Sequence, residues 1–226
     1  MNRNIRLTVI SCLLLVALVF FLTWLRFAGN AKTTMSAEQL RDLGALVYEE
    51  PVQLHPFSLT DHTGADFSLD NLKGHWTLIF FGFTSCPDIC PLTLTELNQF
   101  YRALPEEHQD TDVVMVTVDP DRDTAEKLAE YMHSFNPDFI GVNGPYPDIA
   151  DLARQLFVAH SPPPSQMPAD EHAGHDMASH APDDYVIDHS GNILIINPQG
   201  QYHGFFDVAI QDDELSLAYE AIRDAY

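Results

Sequence analysis

Cys86 and Cys90 stand with three residues between them in Gly82–Leu94, GFTSCPDICPLTL, directly behind the apolar run Leu78–Phe81. A thiolate is both a ligand for soft metal ions and the nucleophile of disulfide exchange, so a close pair serves as a redox couple, a metal site or a single structural bridge. Residues four apart in a regular helix hold their Cβ atoms roughly 5–6 Å apart, whereas a disulfide wants about 3.5–4.5 Å. Closure of this pair therefore needs a non-helical loop, while an ion fits between two sulfurs held slightly apart. A helix N-terminus favours the thiolate. Pro91 is expected to restrict Cys90 to extended geometry and to take the first helical position itself. The third cysteine, Cys12, lies inside a hydrophobic segment and reads as apolar filler. One close pair is too few for a disulfide framework.

A further donor, His189, stands in Asp184–Gly200, DYVIDHSGNILIINPQG, at the start of a turn between two apolar runs. A thioredoxin-like fold places such a loop facing its cysteines. Two thiolates and one imidazole suit monovalent copper, which accepts low coordination and prefers soft ligands. Structural zinc would need a fourth protein ligand, and no residue stands out for that position. More donors crowd Ser161–Asp183, SPPPSQMPADEHAGHDMASHAPD, a stretch without hydrophobic period and rich in Pro, His and acid. It reads as an exposed loop, and His160, His172, His175, His180, Met167 and Met177 lie in or beside it. Its function is either weak capture of copper or that of a plain surface loop.

The elements that must position these donors follow from the apolar pattern. Thr77–Phe83 reads as a fully buried strand feeding the cysteine loop, and Leu94, Leu97, Phe100 or Tyr101, and Leu104 recur at helical spacing up to Pro105. Val113–Val118 is a second buried strand. It ends in Asp119-Pro120-Asp121-Arg122-Asp123-Thr124, where Asp123 is expected to cap the next helix with Glu126 and Arg122 to meet a carboxylate. A strand over Phe139–Val142 and a helix over Ile149–Val158 come next. Strands over Asp184–Ile187, Ile193–Asn197 and Tyr202–Phe206 and a helix over Leu215–Ala225 close the chain. A hairpin over Val52–Leu59 and Ala65–Leu69 precedes them all. This order predicts an α/β, thioredoxin-like fold with a central mixed sheet flanked by helices.

Charge and hydropathy place the domain. The 226 residues carry a formal net charge of −22, and eight basic against 33 acidic residues follow Arg26, a net −25. Such a surface repels nucleic acid and anionic lipid and favours cationic partners or metal ions, besides keeping the chain soluble. Leu7–Leu25 is 19 residues without a charge, long enough for a hydrocarbon core of about 30 Å. Arg3 and Arg6 before it orient the N-terminus to the cytoplasm and the domain outside. A cleaved signal peptide is the competing reading, against which Arg26-Phe27 makes a poor cleavage context. The expected organisation is one N-terminal transmembrane helix within 1–27, a tether over 28–51 with a short helix around Ala37–Leu46, and a domain over 52–226 carrying a His-rich loop at 160–183.

Gly82–Leu94, Val116–Thr124 (VTVDPDRDT) and Asp184–Gly200 together resemble the three signatures of the Sco/SenC family, in the family's order and with the anchor in front. The resemblance covers about Val52 to Tyr226. It implies that Cys86, Cys90 and His189 bind copper as Cu+ and also as Cu2+. It further implies a membrane-anchored metallochaperone that delivers copper to the binuclear centre of cytochrome c oxidase subunit II. The alternative is a thiol–disulfide oxidoreductase in which Cys86 and Cys90 cycle to reduce the cysteines of that centre; a thiol peroxidase gives no reason for Cys90 and His189 together. The expected setting is the bacterial inner membrane, single-pass, with the domain in the periplasm. Another periplasmic copper carrier or a thiol reductant would act upstream, and nucleic acid is not an expected partner.

Overall fold

The sheet is built around WTLIFFG, Trp76–Gly82, in which every residue is buried. A strand buried on both faces has no polar side to show, so its sequence is a continuous apolar run rather than an alternation. The computed structural model describes residues 12–23, 35–166, 187, 190–207 and 210–226. Among these, eight strands form one sheet: β1 Ala45–Gln53, β2 Ser58–Asp61, β3 Asp66–Ser68, β4 Trp76–Gly82, β5 Thr111–Thr117, β6 Ile140–Asn143, β7 Ile193–Ile196 and β8 Gln201–Phe206. The helices are α1 (residues 12–23), α2 Ala37–Asp42, α3 Ile89–Ala103, α4 Ala125–Phe135, α5 Tyr146–Gln155 and α6 Asp212–Ala225.

The strand order is β1-β8-β7-β4-β5-β6-β2-β3. β4, β5 and β6 are parallel, with Phe80 opposite Met115 and Met115 opposite Gly141. Their connections run through α3 and α4, the helical crossovers that parallel neighbours require. The remaining pairings are antiparallel. The predicted mixed α/β sheet with flanking helices is therefore the observed one. Because β7 runs against β4 and Ile193 pairs with Phe80, the chain enters β7 at the end of the sheet where β4 leaves it.

One apolar cluster joins Ile79, Phe81 and Phe83 to Val116, Val118, Ile149, Leu152 and Ile187. Trp76, Phe100 and Tyr219 make edge-to-face contacts elsewhere in the core, and the Tyr219 hydroxyl lies 2.7 Å from Thr111 Oγ1, satisfying two buried polar atoms at once.

Four expectations change. The tether of 28–51 gives way from Ala45 onward to β1, which pairs with β8 through Leu46↔Phe205 and Val52↔Tyr202. Gly204 permits this approach, since a Cβ there would lie 2.1 Å from the Leu46 carbonyl oxygen. The short helix ends at Asp42, held by a capping box between Ser36 and Gln39. The helix after β5 is capped by Thr124, which accepts from Lys127 N, and not by Asp123. Pro91 occupies the third position of α3 instead of the first, so Cys90 is helical; N–H groups of a first turn have no intrahelical partner, so proline forfeits no bond there. The expected strand over Asp184–Ile187 lies, Ile187 apart, outside the described residues.

The chain divides into two compact units, residues 1–34 with 220–226 and residues 35–219. In the first, α1 exposes its side chains along its whole described length. Among the described residues no helix is long and apolar enough to cross a membrane, and the expected span Leu7–Leu25 continues beyond α1 into residues that are not described.

Candidate metal centre

β4 ends at Gly82, Phe83 is buried behind it, and the chain turns before α3 begins at Ile89. Cys86 N donates to the Phe83 carbonyl at 3.1 Å, which closes the turn. Cys86 therefore stands in the loop and Cys90 in the first turn of the helix, so the sulfurs are not held at the four-residue spacing of a regular helix. Both are free thiols; Cys86 is half-buried and Cys90 fully buried. Cys90 N donates to Cys86 Sγ at 3.5 Å. A thiol thus serves one of the orphan N–H groups of α3, a duty that the Asp88 side chain at the N-cap does not perform.

Burial pushes the Cys90 thiol well above its usual range, helped by its hydrogen bond to Cys86 and by the charges of Cys86 and Asp123, while a Phe83 main-chain bond acts the other way. The thiolate expected from the helix N-terminus is thus overridden at Cys90. Loss of water outweighs the helix end, and Cys90 is held as the thiol.

The DPDRDT stretch lies beneath this loop. Asp119 and Asp123 are both fully buried. Arg122 Nε pairs with Asp119 Oδ2, as the sequence led one to expect, and its guanidinium lies over the Phe83 ring at 5.8 Å. Asp123 turns away from its own helix and accepts from Thr84 N at 3.0 Å, Thr84 Oγ1 at 2.5 Å and Thr117 Oγ1 at 2.6 Å. Burial raises the Asp123 carboxyl, and the two threonine hydroxyls hold it down in part.

His189 lies outside the described residues, but the chain beside it is firmly seated. Ile187 is buried in the apolar cluster against which Cys86 also packs. Ser190 N donates to the Ala159 carbonyl at 2.8 Å, and Ala159 N donates to Ser190 Oγ at 3.2 Å. A pocket of about 210 Å³ is lined jointly by Ile89, Leu92 and Thr93 of α3 and by Gly191 and Ile193. Ile89 stands between the two cysteines and Gly191 two residues after His189. Among the described residues no three His, Cys, Asp or Glu side chains converge as metal ligands.

The SCO1/SenC family model matches residues 48–223. The chain belongs to the SCO1/SenC family. Its SCO2-like relative in Rickettsia prowazekii is 36% identical over 169 residues, covering 74% of this chain and 76% of the relative. Arabidopsis thaliana ScoI, solved with copper bound, superimposes with a TM-score of 0.62 at 31% identity over 75% of this chain and 98% of that one. Yeast Sco1 with copper bound gives 0.66 at 28% identity over 78% and 91%. The family match begins at residue 48, inside β1.

Of the remaining donors picked out in this SCO1/SenC chain, His172, His175, His180, Met167 and Met177 lie outside the described residues. His160 Nε2 lies 3.2 Å from the Tyr146 hydroxyl. Ala159 and Ser190, joined as above, bring together the two ends of the chain that bears these donors. Thr84 and Thr117 are the residues that sequence reasoning passed over. Their one visible signal was a pair of acids four apart, Asp119 and Asp123, too many for one helix cap.

Proposed function

We propose that this protein is a copper-binding metallochaperone for cytochrome c oxidase assembly, with Cys86, Cys90 and His189 as the copper ligands. The observation that carries the reading is the shared pocket. Gly191 and Ile193, two and four residues after His189, and Ile89, one of the three residues between the two cysteines, line one space, at the end of the sheet where β4 leaves and β7 begins. The donor set fits the cargo: two soft sulfurs and an imidazole match Cu+ and tolerate Cu2+. Relatives of the same family hold copper.

The chain's own residues explain loading and release. Cys90 is buried and keeps its proton without metal, so copper uptake expels that proton and is favoured as pH rises. Cys86, in the loop, is the accessible thiol through which a partner's thiolate can exchange ligands. Both thiols must be reduced to bind, so a disulfide between them closes the site and a thiol reductant reopens it. The recipient is the binuclear copper centre of oxidase subunit II, and the donor is a periplasmic copper carrier. The uncharged run Leu7–Leu25, of which α1 forms part, anchors the chain in the bacterial inner membrane with its acidic domain in the periplasm.

The test is transfer. Copper-loaded chain is mixed with the apo copper domain of subunit II, and the purple absorption of the binuclear centre is followed. Full transfer from wild type and none from Cys86→Ser supports the reading. Binding of copper without any transfer to subunit II would contradict delivery.

A further inference from the structure

Asp123 has no part in the ligand set, and Thr124 has taken over the helix cap expected of it, yet its carboxylate is completely buried. A buried carboxylate is costly unless donors surround it. Three do, and two of them belong to Thr84, two residues before Cys86. The carboxylate thereby fixes both the main chain and the side chain of that residue. The third donor, Thr117, ends β5 and accepts in turn from Asp119 N at 2.9 Å, so the network is tied to the sheet. From Thr84 the turn runs through the Cys86 N to Phe83 O bond to the sulfur that receives Cys90 N.

We propose that Asp123 is the positioning residue of the thiol loop, holding Thr84 so that Cys86 Sγ is presented to copper beside Cys90. The inference rests on the copper reading above. Without the carboxylate, three donors lose their acceptor and the turn is free to relax away from Cys90.

The test is a Cu+ competition titration and a Cu2+ absorption spectrum of the full chain, wild type beside Asp123→Ala, Asp123→Asn and Thr84→Ala. Asp123→Ala should weaken copper binding about 10–100-fold, the range for partners that orient metal ligands, and shift the thiolate-to-copper absorption. Asparagine keeps the shape and one acceptor oxygen, so Asp123→Asn should recover most of that loss. Thr84→Ala loses the hydroxyl bond alone and should cost about fivefold. In the copper-free chain, alkylation of Cys86 should be faster in Asp123→Ala than in wild type. A folded Asp123→Ala chain with wild-type affinity, spectrum and alkylation rate overturns the inference, as does an Asn variant as weak as the Ala variant. Should Asp123→Ala fail to fold, wild-type affinity in Thr84→Ala overturns it. A wild-type chain that binds no copper overturns the copper reading instead, and the alkylation rates then still decide how Cys86 is positioned.

Discussion

Gly82 is where the sheet hands the chain to the thiol loop, and its missing side chain is a packing requirement. A Cβ there would lie 2.6 Å from Phe80 Cζ and 3.1 Å from Cys90 Sγ. Gly82→Ala should therefore destabilise the domain by about 1–3 kcal/mol, as overpacking does, and weaken copper binding by displacing Cys90. Denaturant unfolding and copper titration of the same variant check both halves. Wild-type stability would mean that Phe80 has room to move. The cysteines themselves were legible, because two thiols beside two prolines after a buried run have few structural uses. Asp123 was misread for a definite reason. Capping rules count neighbours three residues away, whereas its decisive partner, Thr84, is 39 residues back and meets it through the parallel pairing of β4 with β5.

Edge strands are the elements that a hydrophobic pattern shows least. β1 contains Glu49, Glu50 and Pro51, a third of its residues are exposed, and its register shifts between Val47 and Val52. Charges, proline and a bulge are how an edge is protected from pairing with another chain, and they also erase the alternation that announces a strand. Its place is set from afar by Gly204. Gly204→Ala would drive a Cβ into the Leu46 carbonyl and Val47 Cα, so a loss of at least about 1–3 kcal/mol is expected. Hydrogen exchange should show it as lost protection along β1 and β8, with β4 and β5 protected as before. Uniform loss across the sheet would contradict so local a role. The His-rich stretch is the opposite case, visible in composition but rooted in a detail the sequence hides, the Ala159–Ser190 bonds. With Ala159 before it bonded to Ser190 after it, deletion of residues 162–182 should leave the unfolding midpoint of the domain nearly unchanged while slowing copper loading. An unchanged loading rate would assign the stretch no part in capture.

At the scale of the whole molecule, charge and burial pull against each other. The net −25 beyond Arg26 makes the compact state repel itself, so added salt should raise the thermal midpoint. Acid acts through buried groups of opposite sign. Burial lowers the His203 pKa below its ordinary 6.5, so the unfolded chain binds a proton that the folded chain refuses. Stability from this group is complete above pH 6.5 and is lost as pH falls from there through the folded pKa. Burial raises Asp112 and Asp123 above 3.8, so as pH falls through their folded pKa values toward 3.8 the folded chain takes up protons first and gains stability. His203→Phe should therefore flatten the fall in midpoint below pH 6.5 and leave the more acidic limb alone. An unaltered profile would mean that His203 is not the group responsible. The fold as a whole was readable because continuous apolar strands alternating with helical periods admit few arrangements. The third ligand was read from a turn histidine and a resemblance of motifs, and of the chain around it the structure describes Ile187, Ser190 and Gly191. The most direct test of the centre is copper content with the Cu2+ absorption spectrum of the purified chain, wild type beside His189→Ala. The prediction is one copper per wild-type chain, with thiolate-to-copper absorption that His189→Ala loses along with tight binding; a His189→Ala chain that keeps one tightly bound copper and an unchanged spectrum would contradict the three-ligand centre.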